Sequence, residues 1–190
     1  DSSVNIIHSS IESTRSNGNA VDLSGQSEVS FNRDDRLSIN TITLSAVSFP
    51  LKARESQIHI DTPITLTSSS DWNSIQLERG SKLNLNSLGD SQSLTLERVY
   101  AGRNSRIGVN ADFVGVLSQV DLYGGATMEI WKDCEPDNTC TTTQTTINTL
   151  NCHNTTASNG QAVYRWPVVY LNGNDNSSVT NWDTDCLVVE

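Results

Sequence analysis

Apolar residues in this chain recur as short apolar-x-apolar triplets, set in pairs whose first residues lie eight positions apart. The pairs open at Val21/Val29, Ile75/Leu83, Val99/Ile107 and Val120/Met128, and the polar turn inside each pair carries Gly and usually Ser. A further copy spans Pro50/Ile58, where Arg54-Glu-Ser-Gln-Ile58 matches Arg103-Asn-Ser-Arg-Ile107. The starts near 21, 50, 75, 99 and 120 are separated by 21 to 29 residues. A third triplet follows in most copies, at Ile42/Leu44, Ile64/Leu66, Leu94/Leu96 and Val114/Val116.

Internal repetition at this period means a solenoid or an array. A triplet of this kind is a short strand with one inward face, because side chains alternate at period two. Three such strands form a three-sided rung that cannot bury its inward face alone, so rungs stack and pair in parallel with their neighbours. The fold class expected is therefore all-β, a parallel β-helix of about five to six coils. Its core ladders are Val21, Ile75, Val99 and Val120 on one face, and Val29, Ile58, Leu83, Ile107 and Met128 on another. Gly25, Gly80, Gly102 and Gly125 are the expected corners. A two-sheet sandwich of short strands is the alternative reading.

The middle residues of the triplets face outward in such a stack. On the first ladder these are Asp22, Gln76, Tyr100 and Asp121; on the second, Ser30, His59, Asn84, Gly108 and Glu129, with His59 expected to stand alone. Asp22 and Asp121 lie several coils apart. At about 4.8 Å per coil that is too far for a catalytic carboxylate pair, which needs roughly 5 to 9.5 Å.

The rhythm is expected to end near Asp133, giving a body over 1–132 and a C-terminal segment over 133–190 that covers the open end. All four cysteines, Cys134, Cys140, Cys152 and Cys186, fall in that segment. Four cysteines permit three pairings; Cys134 with Cys140 and Cys152 with Cys186 are favoured because they nest locally. Disulfides imply an oxidising compartment, so an extracellular or cell-surface location is expected. A zinc site at Cys152-His153 is the alternative, and it lacks a chelating spacing.

Formal net charge is −10, which makes nucleic acid and anionic membranes poor partners, because phosphate neutralisation needs basic stripes. No apolar run approaches the roughly 18 residues a membrane span requires. Residues 1–20 read as a partial coil without a cap, and more protein is expected ahead of it.

Three of four tryptophans (Trp131, Trp166, Trp182) and two of four tyrosines (Tyr164, Tyr170) lie in the last sixty residues. They either plug the end of the stack or, with Tyr164, Trp166, Tyr170 and Trp182 exposed, form a glycan-binding tip. Asp133, Glu135 and Asp137 alternate as calcium ligands do, although the Gly and distal Glu of an EF-hand are missing; the other reading is a solvated turn. Asp34 and Asp35, between Arg33 and Arg36, are the densest ionisable cluster of the body. They are the weak catalytic candidates, set against a turn held by local ion pairs. Asn154-Thr-Thr and Asn176-Ser-Ser match glycosylation acceptors, as a chain so rich in Asn, Ser and Thr does by chance. No Ser-His-Asp order, phosphate loop or metal-ligand motif appears.

The Gly-x-Ser-x-apolar-x-apolar turns over about residues 4–131 resemble those of right-handed parallel β-helix proteins. That group holds bacterial adhesin passengers, pectate-lyase-like enzymes and phage tailspikes. The region from Cys152 to Cys186 is also similar to the disulfide-bounded region of type IV pilins, without their N-terminal hydrophobic helix. The resemblance implies a non-enzymatic adhesin fragment or pilus or fibre head, with a glycan, a surface protein or other fibre subunits as partner. A polysaccharide lyase or hydrolase acting from a lateral face is the alternative.

Overall fold

The computed structural model describes residues 2–7, 10–12, 18–32, 42–68, 74–88, 92–131, 133–134, 140–141, 144–153, 167–171, 179–182 and 186–189. All of their regular structure is β. Strands are numbered in chain order. An eight-stranded sheet runs β1 (Ser3–Ile6), β4 (Glu28–Phe31), β7 (Gln57–Ile60), β10 (Lys82–Leu85), β12 (Arg106–Val109), β14 (Thr127–Ile130), β18 (Val168–Tyr170) and β20 (Leu187–Val189). A seven-stranded sheet runs β3 (Val21–Ser24), β6 (Leu51–Arg54), β9 (Ile75–Glu78), β11 (Leu94–Ala101), β13 (Val114–Tyr123), β17 (Gln144–His153) and β19 (Val179–Trp182). The three-stranded sheet is β2 (Ser10–Glu12), β5 (Ile42–Ala46) and β8 (Ile64–Ser68). Every pairing in these three sheets is parallel, an arrangement compatible with a β-solenoid. The small β15 (Asp133–Cys134) and β16 (Cys140–Thr141) pair antiparallel.

The register reproduces the ladders. Val29, Ile58, Leu83, Ile107, Met128 and Val169 stack in one inward column, and each is at most 1% exposed. Val21, Leu51, Ile75, Val99, Val120 and Leu150 form another. Burying a side chain of this size contributes about 1.5–3 kcal/mol, so the columns are the main favourable contribution to folding.

Several expectations need correction. The repeat starting near 50 registers at Leu51, not Pro50, so its offset to Ile58 is seven residues. The corners explain the difference. Gly25-Gln26, Arg79-Gly80, Arg103-Asn104 and Gly124-Gly125 are each a pair of left-handed residues, whereas the shorter corner has Glu55 alone. Gly102 is not left-handed; Arg103 and Asn104 make that bend. In three of these turns a serine caps its own corner, with Ser27, Ser81 and Ser105 Oγ donating to the carbonyls of Ser24, Glu78 and Gly102 at 2.8, 2.6 and 2.6 Å. Ser81 and Ser105 are fully buried, so the bonds also satisfy hydroxyls that water cannot reach.

The third triplet of the 114 region is displaced by one. Leu94 and Leu96 stand against Gly115 and Leu117, and Val114 and Val116 are half-buried rather than inward. The reason is Phe113, fully buried. A Cβ on Gly115 would lie 2.8 Å from the Phe113 ring and 2.4 Å from the Leu94 carbonyl oxygen, so the ring occupies the space that an inward side chain at 115 would take.

The rhythm also does not stop at Asp133. Strands β17 and β19 extend the seven-stranded sheet and β18 and β20 the eight-stranded one, all in parallel. Inward positions 145, 147, 150 and 152 repeat the spacing of 115, 117, 120 and 122. Thr145 disguises the pattern; its buried hydroxyl donates to the Phe113 carbonyl at 3.0 Å. The Cys152–Cys186 disulfide is formed, and Cys134 and Cys140 stand opposite each other as backbone neighbours.

Candidate functional site on the seven-stranded sheet

In β11, β13 and β17 the strand passes from one face to the next without a loop. Alternation slips once in each: inward Leu96 and Val99, Leu117 and Val120, Ile147 and Leu150 are separated by two residues that both point away from the core. A period-two strand cannot otherwise turn a corner. At the first slip the Arg98 N–H is taken by Ser74 Oγ at 3.1 Å.

The slips place Arg98 and Gln119 beside the outward column Lys52, Gln76, Tyr100, Asp121 and Asn151. Asp121 is the centre of what results. Arg98 Nε donates to its Oδ2 at 2.6 Å, Gln119 Nε2 reaches both oxygens at 3.0 and 2.9 Å, and Asn151 Nδ2 donates to Oδ1 at 2.8 Å. His153 Nε2 lies 3.5 Å from Oδ1. The residue is only 1% exposed. Burial alone would raise its pKa, but the hydrogen bonds from Asn151, Gln119 and Arg98, with the Arg98 charge, outweigh that and lower it.

Three rings sit alongside. Tyr123 stacks on His153 with centroids 4.1 Å apart and planes at 15°, and Tyr100 lies 4.9 Å from Tyr123 at 31°. A Cβ on Gly102 would come within 3.1 Å of the Tyr100 ring and hydroxyl, so the glycine makes room for the phenol. Both phenols titrate above their ordinary value: burial is the main cause, with Glu78 and Asp121 adding to it at Tyr100, and Asp121 and Tyr100 at Tyr123. They therefore keep their protons at neutral pH. Glu78, the last residue of β9, accepts from Gln76 at 2.9 Å and pairs with Arg54 at 3.3 Å.

A carboxylate at a depressed pKa is a poor general acid, and one already holding this many donors has little basicity left for abstracting a proton.

The sequence named Gln76, Tyr100 and Asp121 as outward neighbours, and the register brings them together in one column. Asp22 belongs to the same column four strands away from Asp121. Missed were Arg98 and Gln119, which the slip delivers, and Asn151 and His153, which lie beyond the expected end of the repeat. The signal for all four was available as the three-residue step between inward positions. His59 is not alone: Asn84 Nδ2 lies 3.3 Å from its Nδ1, and Glu28 lies 3.9 Å from its Nε2. Of the expected tip residues, Tyr170 lies half-buried in β18 beside Glu129, and Trp182 belongs to β19. Tyr164, Trp166, Asp34 and Asp35 lie outside the described residues, as do Glu135 and Asp137 of the expected calcium loop; Asp133 is described for its backbone in β15. Comparison with known proteins gives this chain no family: no family profile, no curated protein and no solved structure matches it.

Proposed function

We propose that this chain is a non-enzymatic extracellular binding and display module, an adhesin segment or the head of a pilus or fibre subunit, that holds a glycan against a stiff parallel β body. In this reading the body is a β-solenoid of about five to six coils, and the disulfide between Cys152 and Cys186 suits an oxidising exterior. The observation that carries the reading is the state of Asp121: almost fully buried, with four side-chain partners. Its role is to orient Arg98, Gln119, Asn151 and His153 beside the phenols of Tyr100 and Tyr123, which suits a hydroxyl-rich ligand. Tyr170, Trp166, Tyr164 and Trp182 provide a second aromatic surface in the same proposal, and Asp133, Glu135 and Asp137 a calcium loop.

The test is a glycan array with the intact chain, followed by Tyr123→Ala and Trp166→Ala. Binding that falls at least about tenfold in Tyr123→Ala supports the sheet face, and a fall in Trp166→Ala supports the tip. The lyase or hydrolase alternative is favoured only by the cluster lying on a lateral face. Turnover of an acidic polysaccharide that disappears in Asp121→Asn or Asp34→Ala would overturn the non-enzymatic reading.

A further inference from the structure

The outward column of the eight-stranded sheet runs Ser30, His59, Asn84, Gly108, Glu129 and Tyr170. One place in it has no side chain. Gly108 is nevertheless buried, because Trp131 leans over it: the indole Nε1 lies 3.9 Å from where a Gly108 Cβ would stand, and Asn84 Oδ1 lies 3.3 Å from the same point. The Trp131 backbone N–H donates to the Val109 carbonyl at 2.8 Å. Even so, 47% of its surface is exposed.

Nothing among the described residues packs over the rest of the indole. The other large apolar residues left open among those described, Val4, Ile7, Leu187, Val188 and Val189, belong to the first and last strands or adjoin them. Trp131 follows β14, which has paired strands on both sides. Around it stand planar polar groups. Arg106 pairs with Glu129 on the adjoining strands, and the Arg106 side chain is 43% exposed. The Asn84 amide nitrogen is engaged by His59, which leaves the Oδ1 side turned towards the Gly108 recess.

From this we infer that Trp131, Gly108, Asn84 and the Arg106–Glu129 pair form a saccharide subsite for a neutral pyranose. Its apolar ring face stacks on the exposed indole and its hydroxyls meet Asn84 Oδ1, the Glu129 carboxylate and the Arg106 guanidinium. A neutral sugar is favoured over a uronate because Glu129 faces the recess and the chain carries a net charge of −10. The inference rests on the glycan-binding reading above, but its residues lie on a different sheet from Tyr100 and Tyr123.

Saturation-transfer NMR and calorimetry with the intact chain test it, using methyl β-glucoside, methyl β-galactoside and their β-linked oligomers against oligogalacturonate. The variants are Trp131→Ala, Gly108→Val, whose side chain would push against the indole and Asn84 Oδ1 from beneath, and Tyr123→Ala. Binding of a neutral probe that falls at least about tenfold in both Trp131→Ala and Gly108→Val, with melting temperatures held, is the expected result. Absence of neutral-sugar binding by the unaltered chain overturns the inference, as does binding that survives both substitutions. Loss in Tyr123→Ala alone leaves the glycan reading standing and removes this subsite; loss in Trp131→Ala and Gly108→Val alone does the reverse for the seven-stranded face.

Discussion

The early and late repeats turn their corners in different ways. Between β5 and β6 the chain leaves one sheet, crosses residues 47–50 and enters the next; β11, β13 and β17 bend through the equivalent corner as continuous strands of eight to ten residues. The change coincides with a seam. Strand β8 ends the three-stranded sheet, and the first half of β11 pairs only onward to β13. Between them is a depression of about 420 Å³ lined in part by Pro63, Ile64, Leu66, Leu94 and Glu97. A loop corner lets adjacent faces adjust separately, whereas a bent strand fixes the register of both faces at once. The polar cluster lies on the bent strands, where the register of β11 on β13 sets Arg98 against Gln119 and Tyr100 against Asp121.

The largest effect that would break this contrast is a cavity. Phe113→Ala should cost about 3–5 kcal/mol in urea unfolding, since the ring fills the space over Gly115. Leu44→Ala, equally buried but in the looped half, should cost about 2–5 kcal/mol and leave hydrogen exchange in β11, β13 and β17 nearly unchanged. If Phe113→Ala also opened β5 and β8, the two halves would be one cooperative unit.

Reduction of Cys152–Cys186, which closes a separation of 34 residues, should cost about 3–4 kcal/mol on the chain-entropy account. Exchange protection should fall first in β17 to β20. Uniform loss along the chain would contradict an end-localised role.

Asp121 and Glu78 sharpen the contrast by charge. The pKa of Asp121 is lowered below its ordinary 3.8, so its contribution to stability is present above that value and is lost as pH falls through the folded pKa. Asp121→Asn should destabilise at neutral pH by about 1–3 kcal/mol and flatten the acid limb of the stability profile. Glu78→Gln should move stability by less than about 1 kcal/mol, since its partner Arg54 is 43% exposed and screened.

An effect of the same small order is expected at a turn between two faces. Gly80, at φ +77 with nothing near its missing Cβ, should tolerate Ala at about 1 kcal/mol, read as a shift in the urea midpoint without a change of slope.

How much of this could be read beforehand follows the same division. Inward columns and parallel stacking were legible because Val29, Ile58, Leu83, Ile107 and Met128 keep an apolar-x-apolar signature in every copy. The offset of the Leu51 repeat was not, because its shorter corner is set by one left-handed residue instead of two, and Glu55 carries no glycine to announce it. Val114 and Val116 misled for a steric reason: nothing in the sequence says that Phe113 fills the place of its second neighbour. Past Asp133 the composition turned polar while β17 to β20 continued the two larger sheets, so Thr145 and Asn151 hid a strand and with it half of the Asp121 cluster. Asp121 itself was visible as an outward residue, but its partners required knowing where the strands bend.

Parallel, in-register columns on the seven- and eight-stranded sheets let the inward residues of one repeat stand where those of another do. Excising residues 75–98 would seat Val99 on Leu51 and Ile107 on Ile58, the partners that Ile75 and Leu83 now have. The product would be shorter by one strand spacing, about 4.8 Å, with these two columns intact. Duplication of the same stretch would lengthen it equally. Axial length in such a protein is thus an inheritable dimension adjusted in whole increments, and the distance between two surface features can evolve without redesigning either.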